Sequence, residues 1–354
     1  MGFINLTDTP HAKIMIRAAN WVGDAIMTTP VIRAVRKNFP KSTITVLAKP
    51  WVIPVYENNP YVDKILIYDN KGRHKRGFGT LRLSKDLRGH EFDLAVLMQN
   101  AFEAGLISFL GGIKERLGYN TDGRTLLLNR SITLNPALKK GHLIDYYLGI
   151  LKGACLADDG RSLDLFLSES DRDFATHFLA TRKFDLSRPV IGINPGATGG
   201  TAKRWFPERY AAVCQKLASE YNVKILIFGG PADVELGDYI AGLSKESAVN
   251  IAGTTSLGQA FALIETCSLF ITNDSGLMHA AAALNINQAA LIGSTDFIAT
   301  SPSNKNSIMV RVPVPCSPCL KDVCPTDHQC MDKISVDMVM ETCKALLKKD
   351  SQQS

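Results

Sequence analysis

Thr198, Thr201 and Lys203 lie in a loop with three glycines, directly after the apolar run Val190–Asn194. Glycines let the backbone approach a ligand closely, and hydroxyl and ammonium groups bind phosphate oxygens. The P-loop pattern GxxxxGK(S/T) is absent, so this is a different type of loop. We therefore expect the loop to contact the phosphate groups of a ligand.

A second loop, Asn273–His279, leads from an apolar run into an alanine-rich helix. Asp274 or Ser275 is expected to cap this helix, close to Gly276. The N–H groups and the positive dipole end at a helix start suit a pyrophosphate. His279 lies one turn further on, where it can reach the same end of the helix. An ordinary capping motif is the alternative interpretation.

A third loop, Gly229–Asp233, follows the apolar run Val223–Phe228. Asp233 can accept hydrogen bonds from ribose hydroxyls, or it can cap the next helix. Both interpretations stay open at this stage.

In the first half of the chain, Asp24 is the carboxylate of the loop that follows the first apolar run, Ile14–Arg17. The loop lacks GxGxxG, which argues against a dinucleotide-dehydrogenase site. A carboxylate within reach of a hydroxyl can accept its proton when that hydroxyl attacks a sugar. Asp24 is therefore a candidate general base, and a helix cap is the alternative.

The composition is that of a globular protein with a slight positive charge. The chain has 354 residues, 45% of them hydrophobic, and a formal net charge of +6. This charge suits an anionic partner, such as a nucleotide, a phosphorylated glycolipid or a membrane surface. The basic stretch Lys71–Arg76, with Arg82, Lys85 and Arg88, is a candidate for facing such a surface, although solvated charges are the alternative. The sequence carries no nucleic-acid-binding motif.

Targeting signals are not visible in the sequence. No apolar run approaches the about 20 residues that a membrane-spanning helix requires, and the N-terminus shows no secretory signal. We expect a cytoplasmic site of action.

Four of the eight cysteines cluster at Cys316, Cys319, Cys324 and Cys330, with His328 nearby. These spacings are compatible with a structural zinc site. Free thiols or a disulfide are the favoured interpretation, and an iron–sulfur cluster is a remote one. We assign no metal to the site.

Short apolar runs alternate with helical patterns along the whole chain, which predicts parallel sheets with helices on both faces. A polar segment, Ala157–Ser170, separates two such series and predicts two domains, 1–168 and 169–354. Each is expected to be Rossmann-like, and the two are expected to face each other across a cleft. Further strands are predicted at Thr43–Ala48, Lys64–Tyr68, Phe92–Met98, Val249–Ala252, Leu269–Thr272 and Gln288–Ile292. A hairpin or an irregular excursion is predicted at Leu126–Thr133, and helices are predicted at Asp24–Phe39 and His142–Ala154.

Three of these motifs together resemble a known family. Asn20–Ala25 (NWVGDA), Lys203–Trp205 (KRW) and Asn273–His279 (NDSGLMH) are similar in order and spacing to the ADP-heptose:lipopolysaccharide heptosyltransferases of glycosyltransferase family nine. The resemblance extends from about Lys13 to the last helix. Arg116–Asn129 is similar to the members that add the second heptose.

The resemblance implies the GT-B fold, in which the first domain binds the acceptor and the second binds the ADP-sugar. The last helix, Val336–Lys348, would cross back to the first domain. The implied reaction is an inverting transfer that needs no metal or other cofactor. Its donor would be ADP-heptose, and its acceptor would be the heptose of heptosyl-Kdo2-lipid A, at the inner membrane.

The resemblance also implies roles for individual residues. Asp24 matches the candidate general base, and Lys203 matches the lysine that neutralises the donor diphosphate. The donor-binding helix start corresponds to Asp274, Ser275, Gly276 and His279, and Asp233 corresponds to an acidic position near the ribose. Three alternatives remain: the enzyme that adds the first heptose, another GT-B enzyme acting on a sugar nucleotide, and an inactive homologue that serves as a binding scaffold.

Overall fold

The computed structural model describes residues 12–75 and 77–353, and for residues 349–353 it describes only the backbone. Arg76, at the end of the basic stretch, lies outside the described residues. The chain divides into two compact units, Met1–Phe166 and Leu167–Ser354. No helix in the described ranges has both the length and the apolar character that crossing a membrane demands.

In the described part of the first unit, six parallel strands form a sheet in the order β3-β2-β1-β4-β5-β6. Helices connect the strands and cover the sheet, as parallel pairing requires. The strands are β1 Lys13–Arg17, β2 Thr43–Ala48, β3 Lys64–Ile67, β4 Leu94–Leu97, β5 Glu115–Tyr119 and β6 Arg130–Ile132. The helices are α1 Val22–Met27, α2 Thr29–Asn38, α3 Phe78–Arg88, α4 Phe102–Leu110, α5 Pro136–Lys140 and α6 Leu143–Gly153.

The described part of the second unit repeats this plan with six parallel strands, in the order β12-β11-β10-β7-β8-β9. The strands are β7 Ile191–Asn194, β8 Ile225–Ile227, β9 Ala248–Asn250, β10 Leu269–Asn273, β11 Gln288–Leu291 and β12 Ser307–Val310. The helices are α7 Glu169–Thr181, α8 Pro207–Tyr221, α9 Val234–Leu243, α10 Leu257–Glu265, α11 Gly276–Ala283, α12 Phe297–Thr300, α13 Gln329–Asp332 and α14 Val336–Gln353.

Both sheets have the doubly wound order of a Rossmann fold, which confirms the predicted fold class. The order reverses between β1 and β4 in the first unit, and between β7 and β10 in the second. Ligands of such sheets bind at this switch point, beyond the carboxyl ends of the strands. The motifs around Asp24, Lys203 and Asp274 all follow one of these four strands.

The predicted helix Asp24–Phe39 is two helices, α1 and α2. Pro30 has no N–H to donate to the carbonyl of Ile26, so the helical hydrogen-bond pattern is interrupted there. The hydroxyl of Thr29 donates to that carbonyl instead, over 2.7 Å, and the hydroxyl of Thr28 donates to Ala25 O, also over 2.7 Å. The two threonines thus turn the chain between α1 and α2.

Of the two alternatives predicted at Leu126–Thr133, the hairpin is wrong, because β6 pairs with β5 in parallel. A short 3₁₀ turn at Thr125–Leu127 precedes β6. Strands β5 and β12 were not predicted from the sequence. The last helix, α14, packs on α8 and on β10, β11 and β12 of its own unit. Its crossing back to the first domain stays a prediction.

Candidate active site

In the second unit, the loops that follow β7 and β10 are tied together at the switch point. Asn194, the last residue of β7, donates from Nδ2 to the hydroxyl of Ser275 over 2.8 Å and to that of Thr272 over 3.1 Å. Asn194 is buried. Since the two strands are neighbours in the sheet, this side chain fixes the end of β10 relative to the start of the glycine-rich loop.

Asn273, at the end of β10, makes a second set of bonds to the same loop. Its Oδ1 accepts from the backbone N–H of Trp205 over 3.2 Å and from the hydroxyl of Tyr210 over 3.0 Å. Its Nδ2 donates to the carbonyl of Pro195 over 2.7 Å. The amide therefore holds both ends of the loop that carries Lys203. No role for Asn194 or Asn273 was predicted from the sequence.

Lys203 lies at the end of a 3₁₀ turn, Thr201–Lys203, that follows two glycines. Gly199 and Gly200 have φ angles of +94° and +122°, a region that side-chain-bearing residues rarely adopt. Lys203 is half-buried, and among the described residues it forms no salt bridge. Thr198 and Thr201 are exposed. The loop thus presents an ammonium group that has no acidic partner in the described part of the protein.

The start of α11 differs from the prediction that Asp274 or Ser275 would cap it. Ser275 occupies the N-cap position, but its side chain makes no capping hydrogen bond. Its hydroxyl accepts from Asn194 and lies 3.3 Å from that of Thr272. Asp274 is buried, and its Oδ2 accepts from the hydroxyl of Thr300 over 3.1 Å. The first turn of α11 therefore lacks the side-chain cap that would compete with an anionic ligand for its N–H groups.

Gly276 and His279 both lie in the first turn of α11. Gly276 is its first residue, and the side chain of His279 is buried. The structure thus brings Lys203, Asp274, Ser275, Gly276 and His279 to the ends of two neighbouring strands of one sheet. Contact of each with a ligand stays a prediction.

Asp233 joins the loops that follow β7 and β8. Its Oδ2 accepts from the N–H of Gly230 over 3.0 Å, and its Oδ1 accepts from Nη2 of Arg204 over 3.3 Å. A Cβ on Gly196 would lie 2.6 Å from the carboxylate. Both carboxylate oxygens thus have partners within the protein, and hydrogen bonding to a ribose stays a prediction.

In the first unit, Asp24 is the third residue of α1, beyond the carboxyl end of β1. The hydroxyl of Tyr147 on α6 donates to Oδ1 of Asp24 over 2.9 Å. Burial and the neighbouring charge of Asp24 hold the pKa of Tyr147 well above its usual value. The phenol therefore stays protonated and keeps donating to the carboxylate at neutral pH. Tyr147, which is 123 residues from Asp24 along the chain, was not predicted from the sequence.

Arg17 fixes the loop that carries Asp24. It is the last residue of β1 and is only 1% exposed. Its guanidinium donates to the carbonyl of Ala18 over 2.6 Å and to Oδ1 of Asn20 over 2.9 Å, and it lies over the ring of Tyr68. Burial lowers the pKa of Arg17 to about 10, so the group keeps its charge at neutral pH. The bonds of Arg17 hold the backbone between β1 and α1.

The eight cysteines are free thiols. Within residues 12–75 and 77–353, no group of three or more histidine, cysteine, aspartate or glutamate side chains is placed to hold a metal ion. Backbone and hydroxyl hydrogen bonds from Thr326 lower the pKa of Cys324, whereas burial raises that of Cys330.

Comparisons with known proteins agree with this architecture. The family model of glycosyltransferase family 9 (heptosyltransferase) matches residues 80–329. Lipopolysaccharide heptosyltransferase 2 of Escherichia coli K12 is 32% identical over 351 residues, which cover 95% of this chain and 98% of the relative.

Solved structures match over nearly the whole chain as well. The structure described as E. coli ADP-heptose LPS heptosyltransferase II matches with a TM-score of 0.81 and 28% identity, over 96% of this chain and 99% of the other. A family 9 glycosyltransferase from Veillonella parvula has a TM-score of 0.87 at 24% identity, over 96% and 98% of the two chains, and so supports the fold. The resemblance found in the sequence is confirmed. The chain belongs to glycosyltransferase family 9, the heptosyltransferase family.

Proposed function

We propose that this glycosyltransferase transfers L-glycero-D-manno-heptose from ADP-heptose to the first heptose of the lipopolysaccharide inner core, with inversion at the anomeric carbon. The observation that carries the proposal is the match, over 95% of this chain, to a relative that bears the name heptosyltransferase 2. The two switch points supply suitable chemistry, a carboxylate in one unit and a lysine with an uncapped helix start in the other.

The second unit would bind the ADP-heptose. Lys203 and the N–H groups at the start of α11 would hold the diphosphate, since both offer positive charge or donors to phosphate oxygens. Thr198, Thr201, Ser275 and Gly276 would line the same ligand, and Asp233 would lie near its ribose. As the bond between the anomeric carbon and the diphosphate oxygen breaks, negative charge grows on ADP. Lys203 and α11 would stabilise that charge.

The first unit would bind the acceptor, with Asp24 as the general base. Asp24 accepts the proton of an acceptor hydroxyl, and the oxygen then attacks the anomeric carbon from the face opposite ADP. The hydrogen bond from Tyr147 supports this role, because it fixes the orientation of the carboxylate. No step of this proposal requires a metal ion or another cofactor.

We also propose that the protein works in the cytoplasm, in peripheral contact with the inner membrane that holds its lipid-linked acceptor. One side of α3, which we call the α3 face, supports this contact. It exposes Phe78 (82%) and Leu81 (56%) beside the basic side chains of Arg82, Lys85 and Arg88. Apolar and basic groups on one helix suit the interface of an anionic bilayer.

The transfer is tested by measuring ADP release from ADP-heptose with two acceptors. Release that depends on heptosyl-Kdo2-lipid A is the expected result. Release only with Kdo2-lipid A would assign the first heptose instead. If the folded protein released no ADP with either acceptor, the proposal would be wrong, and another donor or a scaffold role would replace it.

Membrane contact is tested by co-sedimentation with vesicles of phosphatidylcholine, with and without phosphatidylglycerol. The double variant Phe78→Ser/Leu81→Ser should bind less to the anionic vesicles. Leu186→Ser, which alters an exposed leucine of the other unit, should bind as the unaltered protein does. Equal binding of all three proteins would rule out the α3 face.

A further inference from the structure

The cysteine-rich segment meets the lysine loop at one peptide group. The backbone N–H of Ala202 donates to the carbonyl of Asp322 over 3.0 Å. The carbonyl of Ala202 accepts from Nε2 of His328 over 2.9 Å. Ala202 is 1% exposed and directly precedes Lys203. Residues more than a hundred positions away in sequence thus hold the backbone from both sides at this residue.

Neighbouring contacts extend this attachment. A Cβ on Gly200 would lie 2.0 Å from the carbonyl oxygen of Asp322, so only glycine allows the two backbones this approach. The ring of His328 also packs against that of Phe206, with 5.7 Å between centroids. Both sides of the 3₁₀ turn that ends at Lys203 therefore contact the segment 322–328.

The backbone of His328 is held independently of its imidazole. Its φ is +58°, and its carbonyl accepts from the N–H groups of Met331 and Asp332, over 3.0 and 2.9 Å. Because the carbonyl of Ala202 can only accept, Nε2 of His328 carries the hydrogen. The imidazole is thus a donor on a rigid support, aimed at the peptide that leads into Lys203.

We propose that His328 is a positioning residue for Lys203. By fixing the carbonyl of Ala202, it restricts the backbone from which the lysine extends, and so places the ammonium group against the diphosphate of the donor. This inference rests on the proposed donor role of Lys203. It assigns a function in donor binding to a side chain that acts through the backbone of Ala202.

Two substitutions separate the hydrogen bond from the backbone conformation. Asparagine tolerates a positive φ, but its amide reaches only as far as Nδ1 of histidine, so His328→Asn loses the bond to Ala202. Glutamine extends its amide to the position of Nε2, so His328→Gln can restore the bond. We expect His328→Asn to raise the Kd for ADP by about threefold to about tenfold, the range of one neutral hydrogen bond. His328→Gln should recover most of that affinity.

The measurement is titration calorimetry with ADP, combined with a double-mutant cycle against Lys203→Ala. If His328 acts through the lysine, His328→Asn should raise the Kd for ADP much less when Lys203 has already been replaced by alanine. Additive effects in the cycle would overturn the inference, because His328 would then act on ADP binding independently of Lys203. Circular dichroism and Tm establish that each variant is folded.

Two further outcomes distinguish a failure of this inference from a failure of the proposed donor site. If Lys203→Ala weakens ADP binding and His328→Asn does not, the inference is wrong and the donor role of Lys203 stands. If neither substitution changes the Kd for ADP, the proposed donor site is wrong and the inference fails with it.

Discussion

The switch points of the two units share a topology and differ in chemistry. In each sheet the strand order reverses next to the unit's first strand, and a loop follows that strand. The loop after β1 leads to a carboxylate, Asp24, held by the hydroxyl of Tyr147. The loop after β7 leads to an ammonium group, Lys203, without a salt bridge in the described residues. The fold fixes where ligands bind, and the loops decide which charge they meet.

The two loops are also stabilised differently. Arg17, a buried cation at the end of β1, donates to carbonyl and amide oxygens of the first loop, and Trp51 donates to the carbonyl of Asn20. The second loop is held from outside, by the amide of Asn273 at the end of β10 and by the segment 322–328. Because contacts from outside hold this loop, the ammonium group of Lys203 does not have to form a salt bridge to stabilise it. We therefore expect substitutions in the second unit, but not those in the first, to change the Kd for ADP.

The largest expected effect comes from Asp24→Asn. Loss of the proposed general base should lower kcat by about 10²- to 10⁴-fold. The Kd for ADP should stay within about twofold, because the loops proposed to bind the donor belong to the other unit. Initial rates and calorimetry measure the two quantities. Asp145→Asn, which removes a carboxylate from α6, is the matched control and should leave both unchanged. Near-normal turnover of Asp24→Asn would remove Asp24 from the mechanism.

Lys203→Ala should follow, with effects on both kcat and the Kd for ADP. Removal of one group that stabilises the leaving diphosphate costs about 10²- to 10³-fold in kcat, and here the Kd for ADP should rise as well. Lys216→Ala, an exposed lysine of α8 in the same unit, serves as the control. Unchanged kcat and an unchanged Kd for ADP in Lys203→Ala would contradict the proposed role of Lys203. The two loops would then not differ in the way described above.

A smaller effect is expected from Tyr147→Phe, which tests how Asp24 is held. Loss of one hydrogen bond to a charged group should lower kcat by about tenfold. Since the pKa of Tyr147 is raised well above its usual value, the phenol stays protonated, and the ratio of the rates should be constant from about pH 6 to about pH 9. Tyr146→Phe is the control, because that hydroxyl contacts Asn100 rather than Asp24. A ratio that changes with pH would mean that Tyr147 takes part in proton transfer.

The sequence predicted the location of the loops better than their internal bonds. Apolar runs and the residues that follow them identified nearly every strand that leads into the site, because burial and alternation are local signals. Asn194 and Asn273 were missed, since their roles depend on β7 and β10 being neighbours in the sheet. Ser275 was predicted as a possible helix cap, but its hydroxyl accepts from Asn194 instead. That partner lies 81 residues away in the sequence, so no local signal indicates it. Tyr147 likewise reaches Asp24 only through the packing of α6.

Gly199 and Gly200 test whether the second loop depends on its outside support, and they are expected to have the smallest effect on turnover. Both have positive φ, but only a Cβ on Gly200 meets another group, the carbonyl of Asp322 at 2.0 Å, while one on Gly199 has nothing within 4 Å. Gly199→Ala should therefore cost about 1 kcal/mol of backbone strain, seen as a small fall in Tm. Gly200→Ala adds the steric contact, so its Tm should fall further and its Kd for ADP should rise severalfold.

Equal Tm and Kd values for the two variants would show that contact with the segment 322–328 does not shape this loop. A rise in Kd confined to Gly200→Ala would instead tie donor binding to that segment, in contrast to the first loop, which Arg17 binds from the end of the preceding strand.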